Sequence, residues 1–232
     1  MTTGIAEATP VLHVQRWARV DEAPFAEPVF IFDADGLPED LSNVSVVMPQ
    51  GGAARARELA RRNAARVILG DAALKDSSIV APLAKELGEA KVGVWLPVQR
   101  MMVSWALDVE SNADFRCLAP SRAKPAWEVL TSNGAGSGTD ALWWSQQMQE
   151  RGAAIVLVGA DLTGDADLDI CAEITEVLGE RFWLTPRADA KADMRPWLQY
   201  GHVRNLVLPA CDQAIIAELI DVITIPGETA AA

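Results

Sequence analysis

Residues 44–74 restrict what this chain can fold into more than any other stretch. They read V-S-V-V-M-P, then Q-G-G-A-A-R-A-R-E-L-A-R-R, then N-A-A-R-V-I-L-G-D-A-A-L. Short continuous apolar runs suit strands buried on both faces, and the amphipathic stretch between them suits a helix laid over the sheet. The order strand, Gly-Gly, helix, strand, Gly therefore predicts a parallel sheet. Its glycine turn and helix start form a concavity that can hold a phosphate at the strand ends.

The same alternation runs along most of the chain. Strands are expected at 11–14, 29–32, 44–48, 66–69, 103–109, 154–158, 182–184 and 205–208. Helices are expected at 53–63, 77–87, 140–151, 168–178, 194–200 and 211–222. Eight strands with helices between them in 232 residues suit an α/β fold of the (βα)8 TIM-barrel type. An open doubly wound sheet has the same periodicity and stands as the alternative. Two regions break the rhythm. Residues 17–27 carry no helix signal, which shortens the first βα unit, and residues 93–138 expand the region around the fifth strand. That expansion holds S-N-G-A-G-S-G, read as a connecting loop. No internal linker divides the chain, so one domain is expected over 1–232, with 227–232 a frayed tail.

Composition narrows the function classes. Hydrophobic residues make up 50 % of the chain, enough for a sizeable core. A formal net charge of −12 argues against nucleic-acid binding, which wants a basic face. No apolar run approaches the roughly 18 residues of a membrane span, and the first ten residues lack the pattern of a secretion signal. Cys117, Cys171 and Cys211 have no metal-like spacing and fit a reduced, cytoplasmic protein. Eight tryptophans against one tyrosine read first as core packing.

In a (βα)8 barrel the reacting groups stand at the C-terminal ends of the strands. Asp33 follows V-F-I-F, Asp71 follows V-I-L-G, Asp108 follows V-S-W-A-L, and Asp161 follows I-V-L-V-G-A. A carboxylate ending an apolar strand needs a purpose. Asp108 is thus the first catalytic candidate, with Asp33 and Asp161 beside it. Aspartate is also a common N-cap, the reading that suits Asp71. Gly51 and Gly52 precede a helix bearing Arg55, and with Gly70 and Asp71 they form the candidate phosphate cradle; a tight turn explains the glycine pair equally well. The acidic turn D-L-T-G-D-A-D-L-D lacks the glycine of a calcium loop, so neither a metal nor a cofactor is inferred. His13 and His202 are isolated and no G-x-S-x-G occurs, which leaves nucleophilic catalysis without support.

Taken together, these segments resemble the two (βα)8 enzymes of histidine biosynthesis, the aminoimidazole-carboxamide ribotide isomerase and the cyclase subunit of imidazole glycerol phosphate synthase. Pro49-Gln50-Gly51-Gly52-Ala53 with Arg55, and Val67-Ile68-Leu69-Gly70-Asp71, are similar to the family's phosphate-binding third and fourth units. Val29–Asp33 resembles its second strand, and 105–109 its fifth, whose aspartate implies a general-acid role for Asp108. Trp127, then Thr139-Asp140-Ala141 and Trp144, resemble its G-W…T-x-x-D-A-x-x-W stretch, and 151–164 its sixth strand and D-x-D-G loop. The departures matter as much. The first strand offers no general-base aspartate. Thr163 replaces the second acid of the sixth-strand loop. Thr185-Pro186-Arg187 stands in place of Ser-Gly-Gly, and Leu208-Pro209-Ala210 in place of the second phosphate turn. One phosphate clamp is partly kept and the other is lost.

Two readings follow. In the first, the chain is a divergent enzyme, an isomerase or lyase, acting by acid/base chemistry on a small metabolite that can carry a phosphate. Residues 111–121 resemble an unassigned group that accompanies tetrahydromethanopterin-dependent one-carbon genes, which implies a role in making a one-carbon carrier cofactor of the methanopterin or methanofuran type. In the second, the barrel is non-catalytic and serves as a scaffold or binds a protein partner or a second copy of itself, with Trp127, Trp143, Trp144 and Trp197 as an exposed aromatic interface. The enzyme reading requires Asp33, Asp108 and Asp161 to converge on one open pocket.

Overall fold

The computed structural model describes residues 11–101, 124–188, 192–209 and 213–224. Eight of its strands run parallel and close into a ring. They are His13–Trp17 (β1), Val29–Phe32 (β2), Val44–Met48 (β3), Arg66–Leu69 (β4), Val92–Arg100 (β5), Ile155–Ala160 (β8), Phe182–Pro186 (β9) and Asn205–Leu208 (β10). β1 pairs with both β2 and β10, and β4 pairs with β5, so the sheet has no open edge and the doubly wound alternative is excluded. Register keeps apolar residues level around the ring, as in Val46↔Val67 and Val94↔Val156.

Helices Ala53–Arg61 (α1), Asp71–Lys75 (α2), Val80–Leu87 (α3), Ala141–Glu150 (α4), Asp165–Leu178 (α5), Arg195–Gln199 (α6) and Gln213–Thr224 (α7) follow the strands. Only a short 3-10 turn, Val20–Glu22, connects β1 to β2, as the missing helix signal predicts. None of the described helices is long and apolar enough to cross a membrane.

Because side chains alternate across a strand, the fold has two apolar cores. Val29, Ile31, Val46, Val67, Val94, Val156 and Leu184 face the helix shell and meet Leu59, Leu83, Trp144, Ile174 and Trp197. Phe30, Val47, Ile68, Trp95, Ile155, Leu157, Trp183 and Val207 fill the barrel, with Trp17 packed against them. Trp127, Trp144 and Trp197 are fully buried, which corrects their assignment to an exposed interface. They are too large to be covered by anything but the core, and Trp127 and Trp197 pack on each other at 6.0 Å.

The expanded region departs from expectation. The fifth ring position is filled by β5, not by 103–109, which lie outside the described residues along with Asp108, Cys117, Cys211 and the tail 227–232. β5 reads V-G-V-W-L-P-V-Q-R, where Gly93 and Pro97 count against a strand by propensity. Packing overrides propensity here: a Cβ on Gly93 would lie 2.6 Å from Ile155 Cγ1, so only glycine fits. Beyond Pro97, β5 pairs antiparallel with Trp127–Leu130 (β6), which pairs with Gly136–Asp140 (β7). The glycine-rich stretch is thus half a hairpin rather than a connecting loop. A Cβ on Gly136 would sit 2.5 Å from the Glu128 carboxylate, so a larger residue would displace that side chain.

Within the barrel the tightest contact joins Gly159 of β8 to Trp95 of β5, whose indole lies where a Cβ on Gly159 would stand. Gly159→Ala should therefore displace the indole and cost about 1–3 kcal/mol of stability, read as a lowered denaturant midpoint. An unchanged midpoint would show that Trp95 is free to move.

Candidate functional site at the barrel mouth

The C-terminal ends of the strands form the mouth, and the chain's own aromatic rings lie across it. Trp17, at the end of β1, stacks on Phe32, at the end of β2, with centroids 4.4 Å apart and planes within 7°. Trp95 meets Trp17 edge-on at 6.2 Å and Phe32 at 6.0 Å. Trp17 then donates its indole N–H to Thr185 Oγ1 of β9 at 2.8 Å, tying β1 to β9 across the intervening β10. Trp95 is 9 % exposed, whereas Phe32 remains 43 % exposed on the outer face.

The acids on the rim have partners. Asp33 accepts from Arg55 of α1 through both Nε and Nη2, at 3.0 and 2.6 Å. Arg55 gives its remaining Nη1 to Glu58 at 2.6 Å. These carboxylates hold the guanidinium charged and leave it committed rather than available to a phosphate. Asp161, after β8, accepts the backbone N–H groups of Arg187 and Ala188 at 3.0 and 2.8 Å, and Arg187 Nε at 3.3 Å. Paired backbone donors of this kind are what binds an anion, and here a side chain of the chain itself fills them. Asp33 and Asp161 stand on β2 and β8, four positions apart in the ring of eight, on opposite sides of the aromatic rings.

The expected phosphate cradle is occupied in a similar way. Gly70 N–H donates to Met48 O at 3.0 Å and Asp71 N–H to Pro49 O at 2.8 Å, so these donors are spent on the end of β3. A Cβ on Gly70 would fall 2.6 Å from Pro49 O, and one on Gly51 would fall 3.0 Å from Met48 Cβ. Both glycines are explained by close packing; Gly52 opens α1 as its N-cap. Asp71 accepts the backbone N–H and the hydroxyl of Ser132, both at 2.7 Å, and Gln50 donates to the same hydroxyl at 3.1 Å. Ser132 belongs to the turn of the β6–β7 hairpin. The hairpin thereby rests on the glycine turn, with the Asp71 carboxylate between them.

Asp167, in the first turn of α5, is the group that the sequence did not single out. It is 1 % exposed and receives Trp127 Nε1 at 2.9 Å, Thr163 N and Oγ1 at 2.8 Å each, and Gly164 N at 3.1 Å, with Arg100 Nη2 at 2.9 Å. Burial pushes its pKa upward, but these donors outweigh it and hold the carboxyl below its ordinary value. Within a run of four acids its role had no distinct signal in one dimension. Among the described residues no group of three metal-ligating side chains comes together, and the acidic turn instead splits between Asp161 on the β9 loop and Asp167 on the hairpin.

The fold and this rim define a closed (βα)8 barrel of the kind found in the histidine-pathway barrels. The chain is 30 % identical over 111 residues to the imidazole glycerol phosphate synthase subunit HisF of Pyrococcus furiosus, covering 47 % of this chain and 36 % of that protein. It is 25 % identical over 171 residues to the HisF subunit of Thermococcus gammatolerans, covering 69 % of this chain and 59 % of that protein. The matched segments thus span less than two thirds of either relative. No family model matches the chain.

Replacing Asp167 by Asn strands its donors and should cost about 2–4 kcal/mol, a range set low because Arg100 is partly exposed. The depressed folded pKa means that the stabilisation is complete above about pH 4, the unfolded value. It is lost as pH falls through the folded pKa. Urea titrations of wild type and Asp167→Asn from pH 7 to pH 2 should converge at the acid end; a constant gap would contradict the ionised assignment.

Proposed function

We propose that this HisF-like barrel has given up the phosphorylated-sugar chemistry of its relatives and works by binding a partner rather than by turnover at the mouth. The observation that carries this reading is the packing of Trp17, Phe32 and Trp95 on one another at the C-terminal ends of the strands. The paired-carboxylate acid/base chemistry that the resemblance implies needs both groups free to reach one substrate. Asp33 and Asp161 are held on opposite sides of that aromatic group by Arg55 and by the Arg187–Ala188 backbone. A transferable proton on either would cost the ion pair or the loop contact. The partly exposed Phe32 supplies an apolar centre on a surface otherwise rimmed with charge, the arrangement of a contact site.

A second reading is favoured by the same exposed ring. A flat aromatic face floored by a stacked tryptophan suits a planar metabolite as well as a protein side chain. In that reading Asp108 is the general acid/base, and the substrate belongs to the synthesis of a one-carbon carrier cofactor of the tetrahydromethanopterin type.

Complementation separates the chain from its relatives. A strain lacking imidazole glycerol phosphate synthase cyclase and supplied with this chain should not grow without histidine. Growth that depends on Asp108, lost in Asp108→Asn, would overturn the binding reading.

A further inference from the structure

At the opposite end of the barrel, Arg66 points inward from the first residue of β4, on the same side of the strand as Ile68. Its Nη1 donates to Ser45 Oγ of β3 at 3.5 Å, the outer limit for a hydrogen bond. No carboxylate among the described residues pairs with it. The cavity beside it has a volume of about 260 Å3 and is lined by Arg66, Lys91, Gln15, Ser45, Asn43 and others, with no acid in the lining. Lys91 gives one proton to Ala64 O at 2.8 Å and has two more to offer. Gln15 Oε1 is buried in this lining with no partner among the described residues.

Two cations and an unsatisfied amide around one cavity are unusual in a chain of net charge −12. Arg66 is half-buried, and a guanidinium withdrawn from water without a counter-charge loses hydration that nothing returns. Burial here pulls the Arg66 pKa down with no opposing carboxylate. Water could satisfy the Gln15 oxygen, but it would leave the charge on Arg66 uncompensated.

We infer that the floor of the barrel binds a small oxoanion, a phosphate or carboxylate group, with Arg66 as its anchor and Lys91 as its second cation. A tetrahedral or planar anion would take the guanidinium on one edge and the ammonium on another, and Ser45 Oγ could donate a third hydrogen bond. A monoprotonated phosphate would also give Gln15 Oε1 a donor, which an ionised carboxylate lacks. The site is separate from the mouth and does not depend on how the mouth is used.

The full chain is titrated with inorganic phosphate, with succinate and with chloride at matched ionic strength, following Tm and heat of binding. One of the two oxoanions should raise Tm in the low-millimolar range, and which of them does so identifies the source. Arg66→Met should abolish that dependence and have a higher Tm than wild type in chloride, because it removes an uncompensated charge. Lys91→Met should weaken binding by at least about tenfold, roughly the 1.4 kcal/mol of one charge-assisted contact. Three results would each overturn the site: no response to either oxoanion, an equal response in Arg66→Met, or unchanged affinity in Lys91→Met.

Discussion

Trp95 lies across the barrel against the backbone of Gly159, and the rest of the mouth is arranged around that indole. A barrel interior must be filled by side chains, and here the filling continues up to the rim. With Trp95 in place, Trp17 and Phe32 can stack edge-on to it, and Trp17 reaches Thr185 on β9. The same three rings that complete the apolar interior therefore extend it to the C-terminal ends of the strands.

The rim charges follow from this. Acids at strand ends in an open barrel face water and a ligand. Here each of the three described rim acids has found an internal partner: Arg55 for Asp33, Ser132 for Asp71, and the Arg187–Ala188 backbone for Asp161. Two of these contacts replace an expected phosphate contact with a carboxylate of the chain. The hairpin β6–β7 is braced on both flanks of β5, by Ser132 on the glycine turn and by Trp127 on Asp167. Similarity to HisF covers 47 % or 69 % of the chain, while Arg55, Gly70 and Asp71, the expected phosphate contacts, make contacts within the chain.

Much of the fold was legible because burial leaves a period. Strands 29–32, 44–48, 66–69 and 205–208 have the expected bounds, since each is a short apolar run between polar turns. β5 was missed because its glycine and proline answer to the packing of Ile155 and to the turn into the hairpin, neither visible locally. The β7 glycines looked like a loop for a similar reason: Gly136 lies against the Glu128 side chain of another strand, and Gly138 has a φ of +71°. The site was less legible. Position along a strand correctly put Asp33, Asp71 and Asp161 on the rim, yet it could not say whether their neighbours would be ligand or protein. Trp17 fell in a stretch with no helix signal, Asp167 in a run of like charges and Arg66 at the head of an apolar strand. Only the closure of the ring gives them partners, or leaves Arg66 without one.

The central claim is that the mouth is shut by the chain itself. It is tested most directly by 19F NMR of the protein labelled with 5-fluorotryptophan, with Trp17 and Trp95 assigned by Trp→Phe variants. Added ribose 5-phosphate at millimolar concentration should leave both signals in place, even if it binds elsewhere on the barrel. A saturable shift of the Trp17 and Trp95 signals, retained in Arg66→Met, would show that the mouth opens to a phosphorylated sugar and would contradict the account.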